Sequence, residues 1–504
     1  MRVSLAVSVL LAVACSGPPA EGPPDRVAPP NIVILYADDL GYGDVGCYNA
    51  DSKIPTPHLD RLAQQGMRFT DAHSSSGICT PSRYALLTGR HHWREFHGIV
   101  NAWGGPRFAE ERLTMAEMLR ERGYRTACIG KWHLGWDWQA LMKPGAKPKG
   151  RRNYSADQFD WSKQIPGGPL AHGFDYYFGD DVPNFPPYTW IEDDRVLTAP
   201  TIPYVPNPKP PEGHHEGRPG PMAEGWRLDA VMPELTKRAV DWIHAQEDAT
   251  APFFLYVPFT SPHAPIVPAR SHQGASKAGP FGDFVAQSDA TVGAVMAALE
   301  DAGLAQNTLV IFSSDNGPEH YAYERVRKFG HRSSGPLRGL KRDVWEGGHR
   351  VPMIVRWPGV VAAGVVSDAL VGQVDLMATI AGLLEYELPR DQAEDSFDQM
   401  PVWLREEGSV RDFLVHNTFA KSWGIRRGKW LFLNKKGGGH TRVPDWVAAD
   451  YPANPRDVML CDLERDLGQR TNLSERYPEV VVEMQALLAN VRSRGHSAPR
   501  LLEK

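Results

Sequence analysis

Apolar residues occur along this chain in short unbroken runs, separated by segments with helical spacing. Four of the runs end at polar or charged residues: Ile32–Tyr36, Thr126–Ile129, Phe253–Val257 and Thr308–Phe312. Unbroken runs of this length are typical of strands buried on both faces. Helices are predicted between them, including one from Thr56 to Gly66 and one that starts at the capping box Thr114–Glu117. The alternation predicts an α/β fold with a large mixed, mostly parallel sheet sandwiched by helices over residues 31–395.

The pattern changes from about residue 396 onwards. Phe413–Val415 and Trp430–Leu433 are predicted to be antiparallel strands, the segment Tyr451–Thr471 to be mainly turns, and Val480–Val491 to be an amphipathic helix. Residues 396–504 are therefore predicted to form a smaller C-terminal subdomain that contains an antiparallel sheet and a helix.

The first fifteen residues have the features of an export signal. Met1 and Arg2 are followed by the apolar run Leu5–Ala14, which is too short to anchor the chain in a bilayer. Small residues then precede Cys15, as in a bacterial lipoprotein cleavage site, and the alternative is simple cleavage near Ala14. Residues 16–30, rich in Pro and Gly, would form a tether. The sequence predicts an exported bacterial protein, either periplasmic or tethered to a membrane by a lipid on Cys15.

Composition excludes several classes of function. The 504 residues carry a net charge of −5, so no overall positive field would attract nucleic acid. After processing, four scattered cysteines remain, which are too far apart in sequence for a disulfide scaffold: Cys47, Cys79, Cys128 and Cys461. Cys and His spacing fits no zinc motif, and the pairs His91-His92 and His214-His215 are predicted to lie in loops or at the surface.

The four predicted strands each lead into residues that carry chemistry: Asp38 and Asp39, Lys131 and His133, His263, Asp315 and Asn316. Ligands of open α/β sheets bind beyond the carboxyl ends of the strands, so these side chains are expected at one edge. Taken alone, an Asp-Asp pair is often a helix cap and Asp-Asn-Gly a tight turn. Together they supply three carboxylates and an amide oxygen, which suit Ca²⁺ better than Mg²⁺ and do not suit zinc.

A lone thiol lies next to a predicted helix start in Cys79-Thr80-Pro81-Ser82-Arg83. Thr80 is predicted to be the N-cap and Pro81 the first helical residue. Cys79 would then face the positive end of a helix, and Arg83 would add a guanidinium suited to a tetrahedral oxyanion. Cations close to a metal bound by acids are expected where a doubly charged tetrahedral group is held between them.

These motifs resemble, in the same order, those of the type I sulfatases of the alkaline phosphatase-like superfamily. The matching segments cover nearly all of the chain after the tether: Asp38–Asp44, Cys79–Arg83, Gly130–Gly135, His172–Gly179, Pro262–Pro265, Asp315–Gly317 and Leu340–Pro352. Tyr84 departs from the family pattern, in which a small residue usually follows the arginine, and it is expected to narrow the pocket.

The resemblance implies an enzyme that hydrolyses sulfuric esters. In that family a maturation enzyme oxidises the motif cysteine, here Cys79, to formylglycine, whose hydrate attacks the sulfate. Roles follow for the other matching residues: calcium ligands Asp38, Asp39, Asp315 and Asn316, and sulfate-surrounding groups Arg83, Lys131, His133, His263 and Lys341.

The substrate is expected to be a sulfated carbohydrate met outside the cell, since the chain carries an export signal. Two basic loops, which run from Lys143 to Arg152 and from Arg325 to Arg332, are candidates for binding further anionic groups, and Trp132, Trp136 and Trp138 for stacking on sugar rings. Two other functions remain open. One is a phosphomonoester or phosphonate ester hydrolase of the same superfamily, and the other is a lipoprotein that binds sulfated glycan without turnover.

Overall fold

The structure is a computed structural model that describes residues 29–148, 153–206, 212 and 217–501. In this part of the chain the strands are β1 (Asn31–Ala37), β2 (Met67–Phe69), β3 (Ala72–His73), β4 (Arg125–Ile129), β5 (Tyr176–Gly179), β6 (Ile191–Glu192), β7 (Arg195–Val196), β8 (Ile202–Tyr204), β9 (Gly220–Met222), β10 (Phe253–Pro258), β11 (Thr308–Ser314), β12 (Met353–Arg356), β13 (Val365–Ser367), β14 (Val371–Gly372), β15 (Phe413–Asn417), β16 (Trp423–Arg427), β17 (Trp430–Leu433) and β18 (Met459–Asp462). The α-helices are α1 (Pro57–Gln65), α2 (Cys79–Thr88), α3 (Met115–Glu121), α4 (Val231–His244), α5 (Gly279–Asp301), α6 (Ala322–Phe329), α7 (Glu346–His349), α8 (Leu376–Leu383), α9 (Met400–Trp403), α10 (Asp445–Ala448) and α11 (Pro478–Ser493).

Ten strands form one large sheet in the order β13-β2-β12-β11-β1-β10-β4-β5-β6-β7. Its five central strands, from β11 to β5, are parallel, whereas β12 pairs antiparallel with both β11 and β2. The four apolar runs are the neighbours β11, β1, β10 and β4. The predicted fold class, a mixed and mostly parallel sheet, is therefore confirmed.

Helices cover both faces of this sheet, as the unbroken apolar runs predict. Along β1, Ile32 and Ile34 pack into a cluster with α2, α3 and α8, whereas Val33 and Leu35 pack into a second cluster with α1, α4 and α5. All four side chains are fully buried. Successive strand residues point to opposite faces, so a strand covered on both sides can hold apolar residues at every position.

The C-terminal part forms a four-stranded antiparallel sheet in the order β15-β16-β17-β18, with α11 packed on one face. The predicted small sheet and helix are confirmed. The segment Tyr451–Thr471, predicted to be mainly turns, also contains β18, whose four residues are buried. Val344 and Trp345 from the large domain pack on the other face of this sheet. The boundary between residues 395 and 396 stays a prediction.

The export signal, Cys15 and most of the 16–30 tether lie outside the described residues. Within the part of the chain that is described, no helix has both the length and the apolar character needed to cross a membrane.

Candidate functional site

The carboxyl ends of β1, β4, β10 and β11 bring the chemistry-bearing residues to one edge of the large sheet. Lys131 follows β4, His263 follows β10, and Asp315 follows β11. Asp38 and Asp39 follow β1, which lies between β10 and β11. All of these residues are buried or nearly buried. The expected convergence at one sheet edge is what the structure has.

Two of these residues have backbone conformations that side-chain-bearing residues seldom adopt. Asp39 has φ 66° and His133 has φ 54°. Positive φ at such residues costs free energy, and it persists where the surrounding structure enforces it, most often at functional sites.

Cys79 is the first residue of α2, and it is 2% exposed. The predicted cap is wrong by two residues, because Ile78 occupies the N-cap position and Thr80 lies inside the first turn. The Thr80 hydroxyl donates to the carbonyl of His133 (2.8 Å) and accepts from the Val100 N–H, so it does not cap the helix. Pro81 is tolerated there because N–H groups of the first turn have no intrahelical acceptor.

Each of the three carboxylates beside Cys79 has its own buried cation. Asp38 lies 2.5 Å from Lys131 Nζ, and Asp39 lies 2.7 Å from Lys341 Nζ. Asp315 Oδ2 accepts from Arg83 Nε (3.1 Å) and Nη2 (2.8 Å).

Two opposing effects set the pKa values of these acids: burial raises them, and the neighbouring cations lower them. Burial acts to raise the pKa of Asp38, but Lys131 and Arg83 outweigh it and the pKa is lowered. Burial dominates at Asp39 and Asp315, so the pKa of each is raised. Burial thus opposes the ionised forms of Asp39 and Asp315, and a cation bound beside them would favour those forms.

The donor set fits a hard divalent cation. Asn316 Nδ2 donates to Asp39 Oδ1 (2.7 Å), and its amide oxygen is buried with no hydrogen-bond partner in the described part of the chain. One ligand atom from each of Asp38, Asp39, Cys79 and His263 lies within 4.8 Å of the others. Carboxylate oxygens and an unpartnered amide oxygen are ligands that Ca²⁺ accepts. Of the four predicted ligands, Asp38 and Asp39 belong to this group, and Asp315 and Asn316 each make a hydrogen bond with Asp39. Their binding of calcium stays a prediction.

Cys79 lies at the floor of a cavity of about 150 Å³. His133, His263 and Lys341 line it, whereas Arg83 and Lys131 contact the carboxylates from outside the cavity wall. The thiol of Cys79 donates weakly to Asp38 Oδ1 at 3.7 Å. Burial raises its pKa to about 12, so an unmodified thiol would stay protonated at neutral pH.

The two cavity histidines present one free ring nitrogen each. His133 Nε2 donates to the Val100 carbonyl (2.9 Å), which leaves Nδ1 as a buried acceptor without a partner in the described residues. His263 Nδ1 donates to the Ala264 carbonyl, and its Nε2 lies 3.7 Å from Asp39 Oδ2. Burial lowers the pKa of His133 far below its usual value, and burial together with Lys341 lowers that of His263 to about 3.

Lys341 lines the cavity, as do Arg218 and Arg342. Burial acts to lower its pKa, but Asp39 outweighs it and raises the pKa well above the usual value, so Lys341 stays charged. Glu319 lies 3.9 Å from its Nζ and pairs with Arg342 Nη1 at 2.5 Å.

The sequence does not predict several residues that line the cavity. They are Asn184, Phe185, Arg218, Glu319, Arg342 and Phe419. Arg342 follows Lys341 directly and could have been found from that position. Arg218 lies in a long loop without strand or helix periodicity, and its guanidinium lies over the Phe185 ring at 3.9 Å. No sequence signal places it there.

Several expectations about the surroundings of the site are wrong. Three tryptophans proposed to stack on sugars are each 1% exposed and pack in the core: Trp132, Trp136 and Trp138. Tyr84 does not narrow the pocket, since it is fully buried and donates to Glu95. His91 and His92 lie between α2 and α3, outside the α-helices and strands, but they are buried rather than at the surface. His214 and His215 lie outside the described residues. Arg325 is also buried and pairs with Glu212, so that basic loop offers fewer free charges than its sequence suggests.

Comparisons with known proteins agree with this geometry. The family model described as Sulfatase matches residues 30–386. An N-acetylgalactosamine-6-O-sulfatase of Bacteroides thetaiotaomicron is 34% identical over 92% of this chain and 93% of its own length, and human arylsulfatase A is 35% identical over 91% and 87%. A solved structure from work on glycosaminoglycan metabolism by Bacteroides thetaiotaomicron is 32% identical, with a TM-score of 0.77 over 92% of this chain and 99% of the other.

Proposed function

The chain belongs to the sulfatase family, and from that premise we propose that it removes sulfate from a sulfated carbohydrate by means of a formylglycine made from Cys79. One observation carries the proposal. Cys79 lines a cavity together with Asp39, His133, His263 and Lys341, and its Sγ belongs to the same compact group of ligand atoms as Asp38 and Asp39.

Oxidation of Cys79 to formylglycine would provide a nucleophile that can also release the sulfate it accepts, which the thiol cannot do. A thiol whose pKa is about 12 is a poor nucleophile at neutral pH, and a sulfated thiol would have no simple way to release its sulfate. A hydrated aldehyde has two hydroxyls, so the second can expel the sulfate bound to the first. Because Cys79 is 2% exposed in the fold, the maturation enzyme would act before the chain folds around it.

Asp38, Asp39, Asp315 and Asn316 would hold the calcium ion. When bound, calcium supplies positive charge that stabilises the sulfate oxygens as charge develops on them. Lys341 adds a cation from the cavity wall, while Lys131 and Arg83 keep Asp38 and Asp315 in place from outside it. The direct contact of Arg83 and Lys131 with sulfate stays a prediction.

Proton transfers are assigned from the positions of the titratable groups near Cys79 and the directions of their pKa shifts. Asp315, whose pKa burial raises, accepts the proton of the attacking hydroxyl. His133 Nδ1 is an unprotonated acceptor and takes the proton of the second hydroxyl as sulfate leaves. His263 is neutral without substrate, so it must gain a proton beside the bound anion to act as the acid for the leaving alcohol, with Lys341 as the permanently charged neighbour.

A sulfated carbohydrate with a galactose-type 6-sulfate is the proposed substrate. The names of the N-acetylgalactosamine-6-O-sulfatases of Bacteroides thetaiotaomicron and of the mouse, each 34% identical, support this class. Arg218 and Arg342 also line the cavity wall, where Arg342 is paired with Glu319. Export, with or without a lipid on Cys15, would place the enzyme where such polymers occur.

Two measurements test the proposal. Peptide mass spectrometry of the Cys79 segment should find the aldehyde in protein made with a formylglycine-generating enzyme. Rates on a panel of 6-O-, 4-O- and 2-O-sulfated saccharides and on matched aryl sulfate and aryl phosphate esters should favour the 6-O-sulfated sugars. Faster turnover of the phosphate ester would favour a phosphohydrolase, and tight glycan binding without turnover of matured protein would favour a binding lipoprotein.

A further inference from the structure

Three fully buried histidines meet away from the catalytic cavity, where the large domain contacts the C-terminal sheet. His73 lies on β3, His349 ends α7, and His416 lies on β15. One ring nitrogen from each lies within 4.8 Å of the other two. The rings of His349 and His416 are stacked with centroids 3.8 Å apart, and the His73 ring lies 4.8 Å from that of His416.

The hydrogen bonds around two of these rings fix where their protons lie. His73 Nε2 lies 2.9 Å from Asp71 Oδ1, and His349 Nε2 lies 3.3 Å from the Val344 carbonyl oxygen. Arg350 and Arg426 pair with Asp71, so it is a carboxylate and can only accept. A neutral imidazole has one N–H, and in both rings that N–H is therefore on Nε2.

A consequence is that the two Nδ1 atoms, 3.0 Å apart, face each other with a lone pair each. Two lone pairs at this distance repel unless a cation lies between them. Either a proton, which would make one ring an imidazolium, or a metal ion can meet this need.

His416 favours a metal over a proton. Both of its ring nitrogens are buried and have no hydrogen-bond partner in the described part of the chain. An imidazole buried in this state carries the desolvation cost of its unmet polar groups. A single proton shared between His73 and His349 would leave both nitrogens of His416 without a partner, whereas a metal ion can also accept a lone pair from His416.

We propose that His73, His349 and His416 hold a divalent cation of the zinc class. Neutral imidazole is a preferred ligand of zinc and a poor one of calcium. Nitrogens bound to one tetrahedral zinc lie about 3.3 Å apart, so the Nδ1 pair needs to open by only about 0.3 Å. The His416 ring would have to turn out of its stack on His349, because a zinc ion lies in the plane of each imidazole that binds it. The bond from His73 to Asp71 is the carboxylate contact that commonly orients a zinc-bound histidine.

A carboxylate near the cluster can complete the coordination. Glu346 lies three residues before His349 on α7, and its Oε1 is buried without a partner among the described residues. Glu346, Asp71 and His73 form a second such group, in which one potential ligand atom of each residue lies within 4.8 Å of the other two. The cation would join β3, α7 and β15 and so hold the segment that leads from β3 to Cys79.

Metal analysis of the full chain tests this site without reliance on activity. After dialysis against calcium buffer, the wild-type protein refolded with zinc should retain one equivalent of zinc. Cobalt in its place should give the visible absorption of a tetrahedral site. His349→Gln should lose this equivalent, whereas Asp39→Asn, altered at the catalytic edge, and His320→Gln, at a half-exposed histidine, should keep it.

The melting temperature supplies a second readout that does not need a variant. Zinc present during refolding should raise it relative to refolding with a zinc chelator, at constant calcium. Wild-type protein that retains no stoichiometric zinc, or retention unchanged in His349→Gln, would overturn the proposal in favour of a shared proton. Loss of zinc from Asp39→Asn would also overturn it, by placing the ion at the catalytic edge.

Discussion

Substitution of Cys79 by serine should abolish turnover and leave the fold intact. The side chain is 2% exposed, and its one hydrogen bond within the described part of the chain is the weak S–H bond to Asp38 at 3.7 Å. A serine hydroxyl fits the same space and can donate to the same carboxylate. The free energy of unfolding should therefore change by about 1 kcal/mol or less, which moves the melting temperature by at most about 2–4 °C.

The loss of activity should be far larger than this change in stability. Serine has a single hydroxyl, so a sulfo group transferred to it has no neighbouring hydroxyl to expel it. Removal of a catalytic nucleophile costs about 10⁴–10⁶ in kcat, and a fall of this size is expected for Cys79→Ser. Intact-mass spectrometry after incubation with substrate should show protein that carries one sulfo group.

Cys47→Ser is the matched control, because Cys47 is half-buried and belongs to a different part of the fold. It should keep the wild-type rate on an aryl sulfate. Turnover by Cys79→Ser above about 1% of the wild-type rate, in protein shown to be folded, would refute the assignment of residue 79 as the nucleophile.

Three further outcomes are expected. Asn316→Leu removes the unpartnered amide oxygen and should weaken calcium affinity by about 10–100-fold in calorimetric titration; unchanged affinity would remove Asn316 from the site. Burial lowers the pKa of His91 to about 4 in the folded protein, so below pH 6.5 the unfolded chain binds a proton there that the native state does not bind. Stability should fall by up to about 3 kcal/mol between pH 6.5 and 4, and His91→Gln should flatten this part of the profile in urea titrations. Arg411→Met leaves the buried Asp375 carboxylate without its cation and should cost about 3–5 kcal/mol in denaturant unfolding, whereas the exposed Arg390→Met should cost almost nothing.

The sequence was sufficient to predict the centre of the sheet and the gathering of the site. Apolar runs such as Ile32–Tyr36 carry this information because a strand buried on both faces excludes polar residues along its whole length. Parallel neighbours then bring their carboxyl ends to one edge, so the placement of Asp38, Lys131 and Asp315 follows from strand order alone.

The features that the sequence did not predict depend on contacts between segments far apart in the chain. Trp136 lies in a loop with neither helix nor strand periodicity, and only tertiary packing buries it. The side chain of Thr80 could cap a helix, but its hydroxyl donates a hydrogen bond to the carbonyl of His133 instead. The helix begins before it, at Cys79. β18 is short, and pairing with β17 defines it more than its own composition does.

Charge at the sheet edge is arranged for a metal ion and an anion together. Three carboxylates face three buried cations, Arg83, Lys131 and Lys341, so the ionised cluster has no net charge. A calcium ion would bring it to +2, which a sulfate dianion would cancel. Each ion would thus make the other less costly to bury, because uncompensated charge in a closed cavity is strongly unfavourable. Calcium and sulfate should therefore bind cooperatively.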